Sequence, residues 1–270
     1  MIMGPSEQNR PPLIAHLIHR LAVGGLENGL INLINHTPPD RYRHAIICLA
    51  DSTEFRERIR ASDVPIIALH KREGQDLGVH LRLWRLFRLL RPAVVHTRNI
   101  ASLEYVIPAV LAGVPARVHG EHGRDMADLD GTNRRYNLLR RTVKPAITRY
   151  TAVSEDLANW LIRTVGVDPD RVTQIYNGVD AQRFHPRADE RGPVGPIGFA
   201  PPGTFVVGTV GRMKEVKDQL TLVRAFVRML DWDPTARRRL RLVMIGDGPL
   251  REEARRLLCA VRSEELAWLP

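Results

Sequence analysis

The sequence predicts an α/β protein. It has a complete doubly wound parallel-sheet domain over residues 12–185, a Pro/Gly-rich linker over residues 186–203, and the first part of a second such domain over residues 204–270. Three observations predict this. Short runs rich in Val, Ile and Leu alternate with amphipathic stretches of ten or more residues, as strands buried on both faces alternate with crossover helices. The alternation halts in PRADERGPVGPIGFAPPG, where Pro and Gly punctuate the chain rather than continue regular structure. It then restarts at residue 204 and runs to the last residue.

The elements follow in order. A strand over residues 13–18 leads through Ala22-Val23-Gly24-Gly25 into a helix over 26–35. Runs 44–49 and 64–69 read as buried strands with a helix-like stretch between them. A helix over 77–90 is followed by a strand over 92–96, a helix over 101–111 and a strand over 116–120. Residues 133–144 read as a helix, 146–153 as a strand, and 154–164 as a helix capped by Ser154, whose hydroxyl can accept an orphan amide. Residues 172–175 close the first sheet. In the second domain 204–210 is a strand, 216–230 a helix, 240–245 a strand, 250–261 a helix and 266–269 a third strand. A sheet begun in this way leaves an edge that native proteins cover, so the pattern reads as a truncated two-domain protein.

Composition narrows the function classes. Hydrophobic residues make up 44% and charged residues 26% of the 270, which excludes wholesale disorder. No apolar run approaches the ~20 residues of a membrane span. The start MIMGPSEQNRPP lacks the apolar core of a secretory signal, so the expected location is the cytosol. Two distant cysteines, Cys48 and Cys259, exclude a disulfide framework or a Cys-rich zinc module. The net charge of +10 suggests phosphates, nucleic acid or an anionic membrane surface as partners, or simply arginine at ordinary surface sites.

Two motifs suggest phosphate chemistry. Gly24-Gly25 stands at a strand-to-helix turn, where backbone amides can approach an anion. It lacks the third glycine of a dinucleotide fingerprint, although Asp51 follows at the end of the next strand, where a ribose-binding acid would stand. A nicotinamide-dependent oxidoreductase therefore remains an alternative. In the second domain, Gly208-Thr209-Val210-Gly211-Arg212-Met213-Lys214-Glu215-Val216-Lys217 is a strand, a glycine turn and a helix start. Arg212 and Lys217, with the helix amides, form a candidate diphosphate clamp.

The ordered strings resemble the GT-B glycosyltransferases of the retaining group 1, family-four type. They are Val23-Gly24-Gly25-Leu26-Glu27, Val94-Val95-His96-Thr97-Arg98-Asn99, Val118-His119-Gly120-Glu121-His122-Gly123, Val153-Ser154-Glu155-Asp156-Leu157, Ile175-Tyr176-Asn177-Gly178-Val179-Asp180, residues 208–217 and Val243-Met244-Ile245-Gly246-Asp247-Gly248-Pro249-Leu250. Lys71-Arg72-Glu73-Gly74-Gln75-Asp76 and His96-Thr97-Arg98-Asn99 further resemble a subgroup associated with exosortase and exopolysaccharide loci. The resemblance implies a Rossmann-like acceptor-side domain, a nucleotide-sugar-binding domain and no cofactor beyond the nucleotide-diphosphate sugar.

The resemblance also implies roles for individual residues. His122 faces the donor sugar, with His119 as rival. Arg212 and Lys217 bind the diphosphate and stabilise the leaving group. Gly25, Asn177, Gly178, Gly211, Gly246 and Gly248 lie along the donor, and Gly24, Gly25, Arg98 and Asn99 on the acceptor side. A pair of glutamates seven residues apart, which the family carries further into the second domain, is not present before Pro270. Activity of this chain alone is therefore not expected.

The remaining signals are weaker. Asp128-Leu129-Asp130 reads as loop acids, and the histidines show no metal-ligand spacing. The arginines at every third position in residues 82–88 read as the solvated stripe of a packed helix. Arg134, Arg135, Arg140 and Arg141 are expected to form an exposed basic face for anionic membrane, with a glycan or lipid-linked acceptor as the other partner. A non-enzymatic basic module is the third reading, but no nucleic-acid-binding signature supports it.

Overall fold

A computed structural model of the chain describes residues 10–186, 192, 195–258 and 266–269. The chain divides into two compact units, Met1–Asp180 and Ala181–Pro270.

The first unit holds β1 (Leu13–Ile18), α1 (Gly25–His36), β2 (Arg43–Cys48), β3 (Ile66–Ala68), α2 (Gly78–Leu90), β4 (Val94–Arg98), α3 (Asn99–Leu103), α4 (Val106–Leu111), β5 (Ala116–Glu121), α5 (Arg134–Val143), β6 (Arg149–Ala152), α6 (Glu155–Trp160) and β7 (Val172–Gln174). Its seven strands pair in parallel in the order β3-β2-β1-β4-β5-β6-β7. Successive side chains of a strand point to opposite faces. In β2 and the residue after it, Ile47 and Leu49 therefore join one buried cluster with Val79, Leu83 and Phe87 of α2, while Ile46 and Cys48 join another with Leu30, Ile31 and Ile34 of α1. On α2 the buried residues Val79, Leu83 and Phe87 recur every fourth position, and Arg82, Arg85 and Arg88 face solvent. This is the packed helix with a solvated arginine stripe.

Several helices differ from the sequence reading for local reasons. Residues 101–111 are two helices, because Pro108 cannot donate to the carbonyl of Glu104 and its ring would crowd it. The stretch between β2 and β3 is a single 3₁₀ turn, Glu54–Arg58, capped by Thr53. Ser154 caps α6 by accepting from the Leu157 amide at 3.2 Å, but the helix widens into a π-helical turn, Leu161–Val165, that ends at the left-handed Gly166.

The second unit holds β8 (Phe205–Val210), α7 (Gln219–Trp232), β9 (Leu240–Ile245), α8 (Arg251–Leu257) and β10 (Leu266–Leu269), with parallel strands in the order β10-β9-β8. The helix expected from residue 216 starts later. A 3₁₀ turn, Glu215–Lys217, ends at Asp218 in the left-handed region (φ 47°), and α7 begins after it. Val223, Phe226 and Leu230 of α7 pack with Leu242 and Met244 of β9. Residues 187–191 and 193–194 of the expected linker lie outside the described residues, as do 259–261 of the expected last helix. Phe199, also in the expected linker, is buried against Val243, and its carbonyl accepts from Arg241 Nε at 3.0 Å.

Candidate functional site

Strand order in the first unit reverses between β1 and β4. In open parallel sheets the crevice beyond the strand ends at such a point is where ligands bind. A cleft of about 490 Å³ opens there, over the ends of β4, β5 and β6. Its walls are apolar, from Leu30 and Leu33 of α1 and from Val153, Ile175, Tyr176 and Val179. Its floor is polar: His96, Arg98 and His122.

Each floor residue is fixed by its element. Arg98 ends β4, and its amide donates to Ser102 Oγ, which in turn donates to the Arg98 carbonyl, both at 2.6 Å. Asn99, next in line, adopts a left-handed conformation (φ 54°), which Asn tolerates better than most residues. Its side-chain oxygen accepts from the His122 amide at 2.7 Å, so β4 holds the turn that follows β5. His96 pairs across the strands with His16. Gly120 completes the floor: a Cβ there would lie 3.0 Å from His96 Nε2, His122 Nε2 and Thr151 Oγ1 alike. Glycine lets these three groups converge without any of them giving way.

The charge state follows from burial. Arg98 Nη1 donates to His16 Nδ1 at 3.2 Å. That places the His16 proton on Nε2, which donates to His44 Nδ1 at 3.0 Å. Burial, and then the Arg98 charge, hold His16 and His96 well below the ordinary imidazole range. The same causes bring His122 to about 4. At neutral pH all three are neutral beside one guanidinium. The Nε2 atoms of His96 and His122 are buried and have no hydrogen-bond partner.

His119 and His122 separate clearly. His119 lies inside the sheet, with Nδ1 2.8 Å from Thr97 Oγ1 and Nε2 3.4 Å from Glu121 Oε1. Glu121 also accepts from Arg140 Nε at 2.9 Å. Burial would raise its carboxyl, but the hydrogen bonds and charges of His119 and Arg140 outweigh that and hold it below the usual carboxylate range. His122, not His119, lines the cleft.

One expectation is corrected here. Arg140 is 4% exposed, and besides Glu121 it stacks over the Trp160 ring at 4.6 Å. It cannot belong to an exposed basic face, because it lies on the buried side of α5 with Asn137 and Val143. Arg134, Arg135 and Arg141 are exposed.

Gly24 is the N-cap of α1 and Gly25 its first residue. The Glu27 carboxylate folds back over Gly24, while the space beside Gly25 is open. Asp51, the acid that would mark a dinucleotide site, is instead paired with Arg20 at the surface. Asn177 and Gly178 line the cleft rim.

In the second unit Gly211 follows β8 (φ 157°), and Arg212 and Lys217 are exposed on the loop that leads to α7. Among the described residues no side chain caps α7, and of its first-turn amides the Thr221 N–H donates to the Asp218 carbonyl at 3.2 Å. Gly246 and Gly248 (φ 126° and 153°) have a packing role. A Cβ on Gly246 would strike the Gly211 carbonyl, and one on Gly248 would lie 2.5 Å from the Met213 carbonyl. Buried Met213 ties the two loops together, its amide donating to the Asp247 carbonyl at 2.9 Å and its carbonyl accepting from Leu250 at 3.1 Å. Among the described residues no cluster of three His, Cys, Asp or Glu could hold a metal ion, and no helix is long and apolar enough to cross a membrane.

The sequence reading gave no role to His16, His96, Gly120 or the Glu121–Arg140 pair. The signal was a polar residue inside an apolar strand, as in LIAHLI and VVHTR.

Comparison with known proteins agrees with this architecture. The chain is 25% identical over 248 residues to the UDP-Gal:alpha-D-GlcNAc-diphosphoundecaprenol alpha-1,3-galactosyltransferase of Escherichia coli, which covers 88% of this chain and 62% of that enzyme. It is 35% identical over 107 residues to the D-inositol 3-phosphate glycosyltransferase 2 of Catenulispora acidiphila, 40% of this chain and 24% of that one. The chain thus spans less than two thirds of these relatives' length. Its fold superposes on Anabaena HepE, solved in complex with UDP and glucose, with a TM-score of 0.70 at 15% identity, over 96% of this chain and 69% of that one. The Glycosyltransferase Family 4 profile matches residues 23–183, more than half of the chain. The chain belongs to that family.

Proposed function

We propose that the chain is the acceptor-side domain and the beginning of the donor-side domain of a retaining transferase. The enzyme would move a sugar from a nucleoside-diphosphate sugar to a glycan or lipid-linked acceptor, in bacterial exopolysaccharide or cell-surface glycan synthesis. The observation that carries the reading is the floor of the first-unit cleft, where two neutral imidazoles present unpartnered nitrogens beside a guanidinium. Neutral imidazole nitrogens there suit sugar hydroxyls, which both donate and accept. His122 is the catalytic candidate, contacting the sugar at the reacting end.

In the second unit, Arg212, Lys217 and the N-terminus of α7 would receive the diphosphate and stabilise charge as the nucleotide leaves. Gly211, Gly246 and Gly248 hold the loops that present them, and Gly25, Asn177 and Gly178 lie toward the sugar. The related E. coli enzyme is named for a diphosphoundecaprenol acceptor, and HepE was solved with UDP and glucose, which favours a UDP-type donor and a lipid-linked acceptor here as well. Arg134, Arg135 and Arg141, without Arg140, would supply the contact with anionic lipid.

Calorimetry with UDP tests the donor side. Arg212→Ala and Lys217→Ala should each weaken binding by about 1.5–3 kcal/mol. Unchanged affinity in both removes the clamp. Sedimentation with anionic and neutral vesicles at low and high salt tests the membrane contact, and equal binding to both removes it.

A further inference from the structure

Arg98 is 4% exposed, yet no carboxylate contacts it among the described residues. Nη1 is occupied by His16, and Nε is buried with no partner. The imidazoles around it are neutral. The carboxylate whose field favours its charge is Glu27, in the first turn of α1, and the two form no ion pair. Of the other titratable groups facing the cleft, His36 is turned to the Asn32 carbonyl and Asp180 stands on the rim with contacts of its own. A buried guanidinium without a counter-ion is unfavourable, and an arriving anion would relieve that cost.

We propose that the cleft receives an acceptor carrying an anionic oxygen group, a phosphate or a carboxylate, that seats on Arg98 while neighbouring hydroxyls reach His96 and His122. This deepens the reading of the cleft as the acceptor side and rests on it. The guanidinium fork matches both phosphate and carboxylate oxygens, and a charged contact in a covered site is stronger than a neutral one. The walls from Leu30, Leu33 and Val179 suit a ligand with an apolar face behind its charged group. The floor thereby selects acceptors by charge before any hydroxyl is read.

The test titrates the 270-residue chain at pH 7.5 with glucose, glucose 1-phosphate, glucuronate and inorganic phosphate, following histidine ring resonances by NMR and thermal unfolding in parallel. The expected result is that one charged sugar binds about tenfold tighter than glucose and shifts His96 and His122. Glucose 1-phosphate or glucuronate, whichever wins, identifies the anion, and inorganic phosphate should compete with it. Arg98→Lys should keep the preference and Arg98→Gln abolish it. Equal binding of charged and neutral sugars, binding of neither, or a preference that survives Arg98→Gln overturns the proposal. If Arg98→Gln does not fold, the native-chain comparison and Arg98→Lys decide. UDP titrated separately reports the second unit, so loss of UDP binding counts against the transferase reading without touching the anion preference, and the reverse.

Discussion

The two units end their strands in opposite ways. In the first, the ends of β4 and β5 carry ionisable side chains: buried Arg98 and Glu121, and half-buried His96 and, just beyond β5, His122. In the second, β8 and β9 end in glycines whose backbones touch, with the cations on the exposed loop outside. One floor is held by hydrogen bonds, and much of its side-chain surface is already desolvated. The other keeps its charges in water and fixes only the main chain beneath them. The lesson is that a buried polar floor costs stability to hold and is specific, whereas an exposed clamp costs almost nothing and works by charge.

The largest effect that could break this contrast is Arg140→Ala. It would leave Glu121 buried without its guanidinium partner, with only His119 beside it, and should destabilise the first unit by about 3–5 kcal/mol. Urea unfolding followed by hydrogen exchange in β5 and β6 measures it, and a loss below about 1 kcal/mol would mean the floor is not held electrostatically.

In the second unit the matching change is Gly246→Ala. It adds a Cβ against the Gly211 carbonyl at a positive φ and should cost about 3 kcal/mol, seen as faster exchange in β8 and β9.

Acid sharpens the comparison. The His16, His96 and His122 pKa values are depressed in the folded chain, so the unfolded chain protonates first as pH falls. Their contribution is complete above about pH 6.5 and declines as pH approaches 4, with His122 alone giving about 2 kcal/mol after allowance for partial exposure. Unfolding midpoints at pH 7 and pH 4.5 should separate the units, the first losing stability and the second changing little.

The smallest effect is on stability in Lys217→Ala. The lysine is exposed, so its removal should change unfolding by less than about 0.5 kcal/mol, whatever it does to UDP binding. A large loss would mean the clamp is a structural brace.

The parallel architecture was legible because short runs rich in Val, Ile and Leu alternate with helical stretches, and the described strands fall on those runs even where a polar residue interrupts them. What stayed hidden was tertiary. The break at Pro108 depends on one carbonyl four residues earlier, and the start of α7 depends on a left-handed Asp218 that no hydropathy pattern marks. Arg140 was mistaken for surface because it stands in a run of arginines. Yet its spacing of three from Asn137 and from Val143 already set it on their face. The choice between His119 and His122 turned on where β5 ends: His119 shares a face with Glu121, and His122 falls after the strand. The floor needed the register, since nothing in the sequence says that residues 16 and 96 are opposite each other.

Gly120 shows how such a floor would look to a geneticist. Three polar groups crowd the place where its side chain would begin, so alanine there must push them back by a few tenths of an ångström and anything larger by more. In a saturation mutagenesis map the position should disfavour every larger side chain, although it has no functional group and need touch no substrate. A map of intolerance thus traces the outline of the chemistry as well as its reagents, and at residue 120 the outline is an empty space.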